Sequence, residues 1–167
     1  MLKRILKYCV VLAVLNAPLA RATELLALLS YDGTVNMQTE ANVSPSGNGL
    51  GGMLLGHFEL GPGTLETGLI YSNTPYWTIP LLYRVMILPP FVTLAFGPDY
   101  AISGTSSYKS NLGLEAGAQA IQELGNDFGA VLDLRYRLGL GDAISTNNTS
   151  VHYSGYLISL GIQKRFE

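Results

Sequence analysis

His152 and Ser154 stand two positions apart in the triplet "HYS" near the end of the sequence. A serine hydroxyl becomes a useful nucleophile when a positioned base takes its proton and a third group orients that base. No Asp or Glu lies between Ser154 and Glu167, so that third group has to come from elsewhere in the chain. The candidates for the missing acid are Asp32, Asp99 and Asp142.

A second set of chemically active residues alternates with apolar ones. In the stretch "FGAVLDLRYRLGL" (residues 128–140), Asp133, Arg135 and Arg137 share one parity and large apolar residues share the other. Successive side chains of a β-strand point to opposite faces, so such a strand has a charged face and an apolar face. Similar alternation elsewhere predicts one inward-facing ion-pair network of Glu66, Arg84, Glu115, Asp133, Arg135 and Arg137.

These charges require strands to position them, and eight segments have the pattern of strands. Each is bounded by Gly, Pro, Asn, Asp or Ser, which are typical of turns. The predicted strands are residues 24–35, 50–60, 64–71, 78–88, 91–103, 111–124, 128–140 and 151–166. Long and short connections alternate along the chain, beginning with a long one. This alternation favours an all-β, eight-stranded antiparallel up-and-down transmembrane barrel, with short periplasmic turns and longer external loops.

The first 22 residues have the pattern of a signal peptide. A basic start and a short apolar core precede Ala20-Arg21-Ala22, a small-x-small cleavage pattern. We therefore expect export, and a mature barrel domain of residues 23–167. That domain carries a formal net charge of −6, because four of the ten basic residues and none of the twelve acidic ones lie in the leader. A negative chain without clustered Lys and Arg does not predict a nucleic-acid partner.

Composition points to a membrane. Charged residues make up 13% of the chain, against about 25% in soluble domains. Mean hydropathy is +0.26, yet no apolar run after the leader approaches the ~18 residues of a spanning helix. The one cysteine, Cys9, lies in the leader, so the mature chain has no thiol. With two histidines we expect no metal site and no cofactor.

The "GND" connection at residues 125–127 predicts the register of the sixth and seventh strands. Both charged faces must point the same way, and a slip of one residue would reverse one of them. A three-residue turn that pairs Leu124 with Phe128 satisfies this condition. Glu115 then falls opposite Arg137, as a predicted cross-strand ion pair, and Gln119 falls opposite Asp133.

An eight-stranded barrel has an interior that its own side chains about fill. The inward charges are therefore expected to pair with one another and to plug the lumen. His57 is expected to face inward beside Glu59 as a satisfied interior group. Tyrosines near predicted loop ends, with Trp77, are expected to form an interfacial girdle. This group includes Tyr71, Tyr76, Tyr83, Tyr153 and Tyr156.

The mature chain resembles the small eight-stranded outer-membrane barrels, of the OmpA-like or OmpX-like class. The resemblance rests on the leader, the alternating loop lengths and the ending Tyr156, Ile158, Leu160, Ile162 and Phe166. In that class an aromatic residue in phase with the lipid-facing side chains is the signal read by the barrel-assembly machinery. In this chain Lys164 interrupts the apolar parity, and Glu167 follows Phe166. The resemblance implies a monomer in the outer membrane, surrounded by lipids and lipopolysaccharide.

Three functions are compatible with these patterns. The first is a structural or envelope-interaction barrel without a catalytic centre. The second follows from a similarity of His152-Tyr153-Ser154 to the lipid A 3-O-deacylases, which implies a serine nucleophile and a histidine base facing lipid near the external end. The third is a soluble periplasmic barrel that carries a lipid, which requires the charges of the sixth and seventh strands to lie outside.

Overall fold

A computed structural model of the protein describes residues 23–35, 49–72, 76–89, 91–104, 109–142 and 153–166. They form eight antiparallel strands in a closed barrel. Each strand is hydrogen-bonded to the strands that precede and follow it in the sequence, and β1 is hydrogen-bonded to β8. The strands are β1 Glu24–Val35, β2 Gly49–Leu60, β3 Gly63–Tyr71, β4 Tyr76–Leu88, β5 Val92–Ser103, β6 Asn111–Gly125, β7 Phe128–Gly139 and β8 Ser154–Arg165. The predicted up-and-down barrel is confirmed, with most strand ends within two residues of their predicted positions. Among the described residues, no helix has the length and hydrophobicity to cross a bilayer.

The two ends of the barrel differ in the length of their connections. One end, called here the short-turn end, has the connections of residues 61–62, 89–91 and 126–127. The start of β1 and the end of β8 also lie there. Residues 36–48, 72–75, 104–110 and 140–153 connect strands at the opposite, long-loop end. The alternation predicted from the sequence is therefore present.

The strands are staggered as they go round the barrel. One row of paired residues runs from Glu59 on β2 through Thr64, Arg84, Ala95, Gly117, Arg135, Leu157 and Asp32, and returns to β2 at Gly49. The row returns ten residues from its start, a shear of 10. Strand number and shear together fix the strand tilt and the barrel width. Because of this stagger, residues that pair across neighbouring strands do not all lie at one height.

Burial follows the period of two. On β7, Gly129, Val131, Asp133, Arg135 and Arg137 are buried, whereas the intervening large side chains are exposed. The outside of the barrel therefore carries large apolar side chains on every strand, including Leu29, Leu50, Leu81, Phe96, Leu114, Leu134 and Leu160. The charged parity of β6 and β7 lies inside, opposite to what the soluble lipid-carrier interpretation requires.

Strands β1 and β2, in which apolar and polar residues alternate less regularly than in β6 and β7, turn an apolar face inward. Leu26 and Leu28 on β1 and Met53 and Leu55 on β2 are buried, and they pack with Ile70 and Val131 in one cluster. Part of the lumen is thus filled by aliphatic side chains, and β3 to β7 contribute most of its charges.

The turn between β6 and β7 differs from the prediction. Gly125 pairs with Phe128 across a two-residue turn, and the register shifts between Glu123 and Gly125. Asn126 and Asp127 have φ of 51° and 64°, the positive values that two-residue hairpin turns require. The irregularity absorbs one residue, so Glu115 still pairs with Arg137 and Gln119 with Asp133, as predicted.

Candidate functional site

Arg135 lies at the centre of a buried charge cluster in the lumen. Its Nη1 donates to Glu66 Oε1 at 2.7 Å and to Glu115 Oε1 at 2.9 Å, and its Nε donates to Asp133. The side chains of all four residues are fully or almost fully buried. Strands β3 and β7 lie four places apart on the eight-strand ring, so the bond from Arg135 to Glu66 crosses the lumen.

Arg84 holds the opposite side of the same cluster. Its Nε donates to Glu66 Oε2 at 3.1 Å, its Nη1 donates to Thr93 Oγ1 at 2.7 Å, and its Nη2 lies 3.6 Å from Asp133 Oδ2. Both arginines thus contact Glu66 and Asp133. Charge-assisted bonds to shared carboxylates are among the stronger hydrogen bonds in proteins, so the cluster ties β3, β4, β6 and β7 together.

His57 extends the cluster toward the short-turn end. Its Nε2 lies 2.8 Å from Glu66 Oε2 and its Nδ1 lies 2.9 Å from Glu24 Oε2. A neutral imidazole has one N–H donor, so both contacts are hydrogen bonds only if the ring is protonated or one carboxyl carries the proton. The His57 side chain therefore lies in a site that holds an extra proton. Glu59, its predicted neighbour, is exposed instead.

A count of the charges in the cluster favours His57 as the group that holds that proton. Glu66, Glu115 and Asp133 contribute three carboxylates, against the two guanidiniums of Arg84 and Arg135. An uncompensated charge is costly in a buried site. A protonated His57 would supply a third positive charge to balance these carboxylates, and Glu24 has a separate partner in exposed Arg165, at 3.1 Å.

Arg137 belongs to a second cluster and does not pair with Glu115. Its Nε donates to Asp99 Oδ1 at 2.7 Å, its Nη1 to the Tyr153 carbonyl at 2.6 Å and its Nη2 to Asn111 Oδ1 at 2.8 Å. The predicted Glu115–Arg137 ion pair is therefore wrong although the two residues are in register. Arg137 finds three acceptors toward the long-loop end, whereas Glu115 is bound by Arg135.

Two tyrosines contact each other across the lumen beside this second cluster. The rings of Tyr76 and Tyr153 stack with centroids 4.7 Å apart, and Arg137 lies over the Tyr153 ring at 4.9 Å. Tyr76 begins β4 and Tyr153 immediately precedes β8, so this contact also crosses the barrel. Both were expected in an outer aromatic girdle, but they are buried inside. Trp77 and Tyr71 do face outward, with centroids 4.8 Å apart.

The contributors to these clusters that were not assigned to the network from the sequence include Glu24, Asp99, Tyr76 and Tyr153. Alternation could have found Asp99, because its neighbours of opposite parity on β5 include exposed Leu94 and Phe96. It could also have found Glu24, had the facing of β1 been clear. The inward turn of the two tyrosines has no comparable signal, since tyrosine suits both an interior and an interface.

The hydrolase interpretation expected Ser154 to be exposed on the outer surface. The structure shows it fully buried instead. Its Oγ accepts a hydrogen bond from the Gly139 amide at 3.2 Å. His152 and the predicted leader, residues 1–22, lie outside the described residues. In the described part of the chain, Ser154 is thus a hydroxyl that satisfies a backbone donor at the end of β7.

The closing strand has the predicted outward parity. Tyr156, Ile158, Leu160, Ile162 and Phe166 are all exposed on the outside of the barrel. The Tyr156 ring also covers Gly33 on β1, where an added Cβ would lie 2.2 Å from Tyr156 Cζ. Glycine at that position lets the ring lie flat against the neighbouring strand.

No three His, Cys, Asp or Glu side chains of the described residues form a set that could hold a metal ion. The interactions that the described lumen side chains do form are ion pairs and hydrogen bonds. Every charged group that the sequence placed in the network contacts at least one partner of opposite charge.

Comparison with known proteins identifies the fold and not a family. No protein-family model matches the sequence, and no curated protein is significantly similar to it. The fold is similar to that of Neisserial surface protein A, with a TM-score of 0.58 and 12% identity over 86% of this chain and 96% of that one.

Two further solved structures align less closely. Outer membrane protein AlkL in DMPC bilayers has a TM-score of 0.46 and 12% identity, covering 88% of this chain and 92% of its own. Ail of Yersinia pestis has a TM-score of 0.45 and 14% identity, covering 85% and 99%.

Proposed function

We propose that the chain is a small integral β-barrel protein of the bacterial outer membrane, of structural or envelope-interaction type, with a plugged lumen and no catalytic centre. The observation that carries the proposal is the inverted distribution of side chains. Leu29, Leu50 and Leu160 are 65%, 67% and 64% exposed, whereas Glu66 and Asp133 are fully buried.

An apolar outer surface of this kind is unfavourable in water. Exposed apolar surface costs about 25 cal/mol per Å², and soluble monomers rarely expose contiguous patches above a few hundred Å². Strands of 9 to 15 residues are near or above the ~9–11 that a tilted strand needs to cross a bilayer. Lipid as the surrounding solvent removes the cost and leaves the charges in the protein interior.

Contacts across the lumen support a role other than that of an open pore. Contacts cross it twice, from Arg135 to Glu66 and from Tyr76 to Tyr153, and an aliphatic cluster fills the side lined by β1 and β2. A barrel of eight strands has room for little else. Anchoring, adhesion or envelope stabilisation requires only the barrel and its loops.

Several expectations from the sequence belong to this proposal. The leader of residues 1–22 directs export, the short-turn end faces the periplasm, and the barrel works as a monomer. Tyr156, Ile158, Leu160, Ile162 and Phe166 serve the assembly machinery, and outer-membrane lipids with lipopolysaccharide surround the belt. The outward exposure of those five side chains supports their accessibility to such a machinery.

Membrane fractionation tests the proposal. The full chain, expressed with its leader in a Gram-negative host, should remain in the membrane pellet after carbonate extraction. It should also migrate faster on a gel when unheated than when boiled, because a closed barrel resists detergent until heated. Complete release by carbonate without detergent would overturn membrane insertion.

The hydrolase alternative has a separate test. Mass analysis of lipid A from cells that express wild type or Ser154→Ala should show the same acyl pattern, because the hydroxyl is buried against the Gly139 amide. Loss of an acyl chain in the presence of wild type but not of Ser154→Ala would overturn the non-catalytic proposal.

A further inference from the structure

Lys164 occupies an unusual place on the outside of the barrel. It lies on the apolar parity of β8 near the short-turn end, with Nζ 5.0 Å from the Phe128 ring centroid and 5.9 Å from that of Phe166. Both rings are exposed, at 38% and 45%. The ammonium group is therefore bracketed by two aromatic rings that themselves face outward.

The backbone around Lys164 is fixed on both sides. The residue pairs with Leu25 on β1 and with Phe128 on β7. The next two amides are also bound, Arg165 N to the Asp127 carbonyl and Phe166 N to the Thr23 carbonyl, both at 2.8 Å. The direction in which the Lys164 side chain leaves the barrel is therefore set by the closed sheet.

Charge pairing inside the protein does not account for this lysine. No carboxylate of the described residues lies within 4.0 Å of its Nζ, whereas neighbouring Arg165 takes Glu24 at 3.1 Å and Glu123 at 3.7 Å. The cations Arg84, Arg135 and Arg137 are buried in lumen ion pairs. Of the two lysines after residue 22, the other is Lys109 at the long-loop end.

We propose that Lys164, Phe128 and Phe166 form a binding site for the phosphate of an anionic phospholipid at the short-turn end. The proposal rests on the membrane insertion proposed above. The lysine stem lies along apolar surface while its head group reaches the interface, where one basic residue contributes measurably to the attraction of anionic lipid. The two rings position the ammonium group and contact the part of the lipid next to its phosphate.

The net charge of the chain does not favour binding of anionic lipid. With a formal charge of −6 on residues 23–167, the protein as a whole repels anionic lipid. A preference for anionic over zwitterionic phospholipid therefore requires a local cation. Lys164 is the outward-facing cation of the described residues that has no carboxylate partner at the short-turn end.

The test uses the full mature chain refolded into nanodiscs of phosphatidylcholine that contain a minor fraction of spin-labelled phosphatidylglycerol. We expect the motionally restricted signal to show enrichment of phosphatidylglycerol at the wild-type barrel. Lys164→Gln should lower the relative association constant about fivefold. Lys164→Arg should retain most of it, and Lys109→Gln, at the other end, should leave the short-turn enrichment unchanged.

The outcomes separate the two proposals. Barrels that insert and show heat-dependent mobility, but whose phosphatidylglycerol enrichment is the same in wild type and Lys164→Gln, would overturn the lipid site alone. A chain that does not insert into the nanodiscs would overturn the membrane proposal and the lipid site with it.

Discussion

At the scale of single residues, Arg135 is the side chain on which the lumen contacts converge. It binds three carboxylates from three strands, and none of these atoms has access to water. Buried ion pairs contribute little net stability compared with apolar packing, but removing one partner leaves a buried charge uncompensated. Substitution of Arg135 should therefore lower the stability of the barrel.

Arg135→Met should lower the free energy of unfolding by about 3–5 kcal/mol, because Glu66, Glu115 and Asp133 are then left with one guanidinium. Urea titration followed by the fluorescence of Trp77, the only tryptophan, measures the loss. The control is Arg165→Met, whose side chain is 52% exposed and should cost about 1 kcal/mol or less. Equal losses in the two variants would contradict the central role of Arg135.

His57 is the residue whose protonation the geometry constrains. We expect ¹⁵N NMR of the folded barrel at neutral pH to show both ring nitrogens protonated, because each faces a carboxylate oxygen within 2.9 Å. His152→Gln leaves a single histidine and so assigns the signal. A neutral tautomer with one protonated nitrogen would show that a carboxyl holds the proton instead.

At the scale of elements, β7 has an inner face and an outer face of different composition. The inner face of β7 carries Asp133, Arg135 and Arg137, and its outer face carries Leu132, Leu134 and Leu138. The same period of two fixes the outward side of β8 up to Phe166. Because the sheet is closed, no strand has a free edge, and every strand depends on both of its neighbours.

The outer face of β7 should tolerate charge according to position along the strand. Leu134→Arg, in the middle of the strand, should destabilise the bilayer-inserted barrel by about 2–4 kcal/mol, and Leu140→Arg, beyond its long-loop end, by about 0–1 kcal/mol. Refolding equilibria in lipid vesicles measure both. If the two costs were equal, the outward face of β7 would not lie in the hydrocarbon layer.

At the scale of the whole molecule, two sets of contacts of different chemistry cross the lumen. The central set is an ion-pair cluster that joins β3 to β7, and the set at the long-loop end is a stacked tyrosine pair. The aliphatic cluster on β1 and β2 lies beside them. These contacts support the proposed plug.

The proposed plug predicts that the barrel does not conduct ions. The purified wild type should give no discrete conductance steps in a planar lipid bilayer. A combined Tyr76→Ala and Arg135→Ser variant, which removes one contact from each set, should give more ion leakage than wild type. Stable porin-like steps from the wild type would contradict a plugged lumen.

The sequence by itself determined the number of strands, the facing of β6, β7 and β8, and the register of Glu115 with Arg137. Alternation and turn length are local properties, and a register slip would expose charges to the apolar side. Only the tertiary structure decided which charges pair, since that depends on the ten-residue stagger and on side chains that reach across the lumen. For the same reason the sequence did not predict that Arg137 binds Asp99 or that His57 contacts both Glu24 and Glu66. It also did not predict that Ser154 is buried and accepts a hydrogen bond from Gly139.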